Sequence, residues 1–278
     1  MGFSVREMVA DRIIKRIEES GNLPWNKPWD FAGHAVSRGT GKPYGFLNQL
    51  MLPVGEYATM KQINAEGGHV NKGAKCEYVV FWNIIIAEEE NKDGEIVKKK
   101  IPFLKYYRVF NIKDTDLEPI YLKEYKGSAE ENRTADEVFN GYVGRSGVKT
   151  NFTERESAYY SPIRDEICMP LRKQFKSTEE YYSTLFHETV HSTGHKERLG
   201  RLETKRYALD IAERSKEELV AEIGSGAILS HLGINTERSE RNNAAYVKSW
   251  VKYLKEDKGA IIEAASKAQK AFDMIIAK

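Results

Sequence analysis

Apolar residues recur every three or four positions over residues 3–20 (Val5, Val9, Ile13, Ile14, Ile17), with charges between them. That period predicts an amphipathic helix. Gly21 ends it, and Pro24 and Pro28 mark the break. The period disappears over residues 22–58, which are rich in Gly, Pro, Trp and Tyr and read as loop. A short helix is expected at 59–65, closed by Gly67-Gly68. Residues 76–88 and 95–112 then turn β-rich around Asp93-Gly94, a hairpin signal. With Asp93-Gly94 as a two-residue loop, Glu90 faces Val97, Glu89 faces Lys98 and Glu88 faces Lys99. The basic run Lys98-Lys99-Lys100 is then the cross-strand partner of Glu88-Glu89-Glu90 rather than a phosphate patch. Residues 113–132 are polar and hold Pro119, Gly127 and a charge cluster, which places a domain boundary there. Beyond it come a helix near 134–142, short strands around 148–168, and helices to the end. The expected fold is α+β. A small antiparallel-sheet N-terminal domain with flanking helices covers 1–125, a linker covers 126–132, and a mainly helical domain covers 133–278.

The length of 278 residues fits one large domain or two modest ones, and 41% hydrophobic residues exclude wholesale disorder. Lys and Arg number 43 against 41 Asp and Glu, a net +2, so the total implies no strongly basic surface. No apolar run approaches the ~18–20 residues of a membrane span, so no membrane partner is expected. The start, MGFSVREMVADRIIKRIEES, lacks the apolar core of a signal peptide. Arg6 stands where a myristoylation signal needs Ser or Thr. Cys76 and Cys168 give no disulfide framework. The expectation is a cytoplasmic protein with two ordinary thiols.

Chemistry concentrates after residue 176. Ser177-Thr178-Glu179-Glu180 has the Ser-x-x-Glu form of a capping box and opens the helix TEEYYSTLFHETVHSTG, with Gly194 as its stop. Inside lies His187-Glu188-Thr189-Val190-His191, the pattern H-E-x-x-H. Residues i and i+4 share one helix face, so two imidazoles can bind one Zn²⁺. Glu188, beside the first ligand, is placed to act as general base on a water that the metal activates. Surrounding Leu185, Phe186 and Val190 argue for a buried imidazole pair, and buried imidazoles need partners. A catalytic site needs a third protein ligand. Glu218 and Glu222 stand at i and i+4 in SKEELVAE; His195 and Glu197 follow the second histidine more closely. An oxyanion donor is also required, and Tyr159, Tyr160, Tyr207, His195 and His231 are candidates. Mn²⁺ or Co²⁺ can take the same ligands as Zn²⁺.

For nucleic acid the signal is mixed. Residues 1–125 carry 18 Lys and Arg against 17 Asp and Glu. Over 25–75, however, Lys27, Arg38, Lys42, Lys61, Lys72 and Lys75 are interleaved with Trp25, Trp29, Tyr44, Phe46 and Tyr57. Cations between aromatics suit single-stranded DNA, whose bases stack on rings while phosphates meet the cations. The plainer reading makes the rings a core and the lysines a solvated surface. The candidate contacts are Arg38, Lys42, Tyr44, Asn48, Lys61, Lys72 and Lys75.

SKEELVAE looks like the glutamate helix of thermolysin-type zincins. There a Glu is the ligand and an acidic residue four places on supports a metal-bound His. The resemblance implies Glu218 as ligand and Glu222 as the supporting residue. Ser215-x-x-Glu218 also has the form of a capping box, and a Glu engaged in capping leaves Glu222 as the ligand. HETVHSTGHKERLGR followed by EELVAEIGSGAIL resembles the zincin-like metallopeptidase domain of polyvalent proteins of conjugative plasmids and phages. YYSPIRDEICMP, AAYVKSWVKYLKED and AIIEAASKAQKAF are similar to its flanking segments. LPWNKPW, TGKPYGFLNQLML, TMKQINAEGGHVNKGAKCEYVVFW and YYRVFNIKDT resemble the N-terminal domain of ArdC-type antirestriction proteins. These resemblances imply single-stranded-DNA binding by the first domain and zinc-dependent peptidase chemistry in the second, on an unidentified protein such as a host restriction component.

Overall fold

The computed structural model describes residues 4–25, 34–90, 96–121, 134–202, 211–234 and 244–277. The chain forms two compact units. One comprises Met1–Met8, His34–Tyr44 and Leu52–Lys123; the other comprises Val9–Gly33, Gly45–Met51 and Glu124–Lys278. The units are therefore interleaved in sequence, whereas the sequence reading drew a single boundary at 126–132.

The first unit is built on a four-stranded sheet: β1 (Ala35–Ser37), β2 (Gly55–Ala58), β3 (Glu77–Glu90) and β4 (Ile96–Asn111), in the order β1-β2-β4-β3. All neighbours are antiparallel except β1 and β2. That pair is parallel because the chain crosses over through α2 (Phe46–Met51) before it returns. Ala35, Leu52, Tyr57, Val79 and Val109 form the core. The short helix α3 (Met60–Ala65) opens at Thr59, whose side chain accepts from Gln62 N in a reciprocal capping box. In the long hairpin Glu90 stands opposite Ile96, and Glu88 opposite Lys98. The ladder is thus shifted by one residue from the expected pairing. Asp93-Gly94 itself lies outside the described residues. Neither expected acidic–basic pair is in the ladder: Lys98 stands opposite Glu88 instead of Glu89, Lys99 opposite Ala87 and Lys100 opposite Ile86.

The helix α1 (Val5–Ser20) enters the second unit at Val9 and follows its apolar period from there, with Val9, Ile13, Ile14 and Ile17 buried. It ends at Gly21, whose left-handed backbone (φ 69°) accommodates the turn. α4 (Ala135–Ser146) and a sheet of β5 (Lys149–Thr153), β6 (Tyr159–Ser161) and β7 (Glu166–Pro170), ordered β5-β7-β6, precede α5 (Thr178–Ser192). The helices α6 (Ile211–His231), α7 (Ala244–Glu256) and α8 (Ala260–Ile276) complete it. Glu18 and Asp11 of α1 pair with Lys255 and Lys258. Trp25 stands edge-on to Trp250, and Phe46 of α2 stands edge-on to Phe272 of α8. These contacts explain why α1 and α2 fall with the C-terminal helices. Among the described residues no helix is long and apolar enough to cross a membrane.

Candidate metal centre

α5 begins at Ser177, whose hydroxyl accepts from Glu180 N at 3.1 Å. It is buried almost continuously from Leu185 to Ser192, so His187 and His191 are carried into the interior on one face. The helix ends without help from a left-handed glycine. Gly194 has ordinary backbone, and its missing side chain makes room for Leu202, whose Cγ a Cβ would meet at 2.8 Å. The helix α6 crosses close by because it carries Gly224. A Cβ there would stand 3.0 Å from a Val190 methyl group.

This approach brings Glu218 to the two imidazoles. His187 Nε2 lies 3.2 Å from Glu218 Oε2 and 3.1 Å from His191 Nε2, and His191 Nε2 lies 3.5 Å from Glu218 Oε1. One donor atom from each of the three residues falls within 4.8 Å of the others. Two imidazoles and one carboxylate fit a first-row divalent cation. The outer ring nitrogens are also engaged: His187 Nδ1 is 3.5 Å from Glu222 Oε1, and His191 Nδ1 is 3.4 Å from Glu217 Oε1. Burial works against charge on His191, but hydrogen bonds to Glu217 and Glu218 outweigh it and push its pKa up to about 10. Burial likewise opposes ionisation of Glu218, and the two histidines overcome it, holding the carboxyl well below its usual range. Binding of a divalent cation to these donors would be coupled to release of protons. Glu188 is buried beside these groups and is outside the converging set.

The other sequence candidates fall as follows. α6 starts at Ile211, so Ser215 lies inside the helix and is no N-cap; the capping alternative for Glu218 lapses. Glu222 reaches the outer side of His187. Glu197 is exposed and pairs with Lys196. His195 Nδ1 is 3.9 Å from Asp165. Tyr160 donates its hydroxyl proton to Asp165 Oδ1 at 2.6 Å, which commits that proton elsewhere and removes it as an oxyanion donor. His231 ends α6 against Phe272. It is 13 residues beyond Glu218, about 20 Å along the helix, too far to serve. Tyr159 is exposed on the edge strand β6, and its hydroxyl accepts from Arg164 at 3.0 Å. Tyr207 lies outside the described residues. Sequence reasoning missed Glu217, although it adjoins Glu218. It also missed Arg201, whose guanidinium Nε and one terminal nitrogen donate to the two Glu217 oxygens at 3.1 and 2.8 Å. No local pattern marks Arg201.

Of the DNA candidates, Lys42, Lys61, Lys72 and Lys75 are exposed, and Tyr44 is half-buried against the sheet core. Arg38 is not free for phosphate. It is 7% exposed and donates to Glu56 and Glu66. Asn48 is buried in α2, away from solvent. Trp25 and Tyr57 are core residues, and Lys27 and Trp29 lie outside the described residues. Sequence reasoning also missed Phe81 and Tyr107, both exposed. In the ladder Phe81 pairs with Lys105 and the next pair on that face is Val79 with Tyr107; Lys105 Nζ stands 5.0 Å from the Tyr107 ring centre.

Comparison with known proteins matches residues 137–267 to a zincin-like metallopeptidase family and residues 3–110 to the N-terminal domain of anti-restriction factor ArdC. A DNA primase TraC of Escherichia coli is 33% identical over 98% of this chain, and the match spans only 27% of the primase. The crystal structure of the antirestriction protein ArdC of plasmid R388, in its metal-free form, is 35% identical with a TM-score of 0.71. It covers 98% of this chain and 97% of its own. The Mn(II)-bound form of that protein is 34% identical with a TM-score of 0.73, at the same coverage. On this sequence identity and near-complete mutual coverage, the chain belongs to the ArdC family of antirestriction proteins.

Proposed function

We propose that the protein protects incoming DNA of a mobile element by two linked activities: single-stranded-DNA binding in the first unit and metal-dependent peptide hydrolysis in the second. His187, His191 and Glu218 would hold Zn²⁺, with Mn²⁺ or Co²⁺ as substitutes on the same donors. The bound ion supplies a Lewis acid that polarises a substrate carbonyl and acidifies water. Glu188 takes the proton from the attacking water and returns it to the leaving amine. Glu222 and Glu217 keep the imidazoles oriented. The substrate is a protein, in this reading a component of a host restriction system.

The observation that carries the hydrolytic reading is Glu188. A buried carboxylate adjoins the three converging donors at the place that the general base takes in an H-E-x-x-H site. DNA binding is supported by the exposed lysines of 42–75 and by the exposed rings of Phe81 and Tyr107 beside Lys105. Glu188→Gln is the test. The variant should bind Zn²⁺ like the wild type and lose cleavage of a labelled protein such as casein by about 10²–10⁴-fold. Wild-type cleavage by that variant removes the general-base role. Antirestriction that survives the substitution favours a protective DNA-binding protein whose ion is structural.

A further inference from the structure

Glu217 has no part in the ligand set, yet it is buried and faces the outer nitrogen of His191 at 3.4 Å. Both its oxygens are taken by Arg201, at 3.1 and 2.8 Å. The same guanidinium donates to the Val190 carbonyl and the Thr193 hydroxyl, each at 2.9 Å. Arg201 therefore joins the end of the helix bearing two histidines to the helix bearing Glu218. We propose that Arg201 is a positioning residue for a divalent cation at His187, His191 and Glu218. Acting through Glu217, it holds His191 with Nδ1 protonated and the Nε2 lone pair turned toward the ion, and it keeps Glu217 out of the coordination sphere. This inference rests on the metal-centre reading above.

The chemistry of the two groups carries it. Glu217 and Glu218 are adjacent carboxylates within reach of the same histidine. Left alone, a buried Glu217 would compete for the cation. A planar guanidinium that grips both oxygens neutralises it and still leaves a lone pair of Oε1 for His191. A lysine offers a single point charge and cannot reproduce the fork. The chain delivers Arg201 by a specific route. Leu202 N donates to the Gly194 carbonyl at 2.8 Å, and the Leu202 side chain fills the space that glycine leaves. Gly194, one turn past the motif, thus sets where Arg201 stands.

The test is Zn²⁺ affinity of the metal-free full chain, measured by chelator competition for wild type, Arg201→Met, Arg201→Lys, Glu217→Gln and the Arg201→Met/Glu217→Gln double variant. Each single substitution should weaken binding about 10- to 100-fold. The double variant should be no weaker than the worse single one, because both cut one connection. Circular dichroism checks folding; if Arg201→Met does not fold, Arg201→Lys and Glu217→Gln decide. Folded variants with wild-type affinity overturn the positioning role and leave the metal centre standing. A wild type that binds neither Zn²⁺ nor Mn²⁺ overturns the metal centre itself. In the zinc-loaded wild type, ¹⁵N shifts should show His191 protonated at Nδ1, and a deprotonated Nδ1 overturns the proposal.

Discussion

Arg38 donates to Glu56 Oε1 at 2.5 Å in a pair almost wholly removed from solvent. The other Glu56 oxygen accepts from the backbone N–H of Ile120 and Tyr121, at 2.8 and 2.7 Å. Arg38 also binds Glu66 and the Glu118 carbonyl. The pair fastens residues 118–121 to the strand β2, and its role is structural. Removing one partner of such a pair leaves a buried charge uncompensated. Arg38→Met should therefore lower stability by about 3–5 kcal/mol, read from urea unfolding of the full chain. A change below ~1 kcal/mol, the range of an exposed pair, would show that the network is not buried in solution.

The exposed lysines make a separate prediction for DNA. If Lys72 meets a phosphate, Lys72→Ala should reduce the slope of log affinity against log salt by about 0.7 on a single-stranded oligonucleotide. Phe81→Ala should cost about 1–3 kcal/mol of binding with the slope unchanged, since stacking releases no counterions. Fluorescence anisotropy across a salt series separates the two effects. An unchanged slope for Lys72→Ala, Lys61→Ala and Lys75→Ala alike would move the interface off this surface.

Glu218 and Glu222 should differ in kind. Glu218→Ala should lose the bound metal equivalent, because its carboxylate is the one that meets both Nε2 atoms. Glu222→Ala should retain the equivalent with affinity lowered about 10- to 100-fold, as expected for a group acting through His187. Metal analysis of the purified variants distinguishes them, and the reverse result would exchange their roles.

Asp165 supplies an acid-side dependence. Its carboxylate takes two donors from Arg198, one at 3.0 Å, and one from Tyr160 at 2.6 Å. Burial pushes its pKa up, but these bonds outweigh it and hold the value below the ordinary range. A depressed folded-state pKa means the contribution is complete above the unfolded value of about 3.9 and fades as pH falls through the folded value. Asp165→Asn should be less stable than wild type at neutral pH by about 2 kcal/mol. The gap should close in melts taken at progressively lower pH. A gap that stays constant would assign the loss to packing.

Much of the site was legible because it is local. The amphipathic period over Val9–Ile17 and the four-residue spacing of His187 and His191 are properties of one helix each, and both hold in the structure. The family was legible for a related reason: its motifs occur in order along the chain. What needed the tertiary structure was every choice made between elements. Glu218 and Glu222 occupy one face of one helix, and only the close crossing permitted by Gly224 against Val190 decides which meets the Nε2 atoms. Arg38 reads as a surface cation until Glu56, Glu66 and the 118–121 segment fold over it. The hairpin ladder slipped by one residue, and α1 and α2 joined the C-terminal helices across more than 200 positions of sequence. A chain's periodicity records which face of an element is apolar. It does not record which other face will cover it, because that depends on the combined shape of surfaces that meet only in the folded protein.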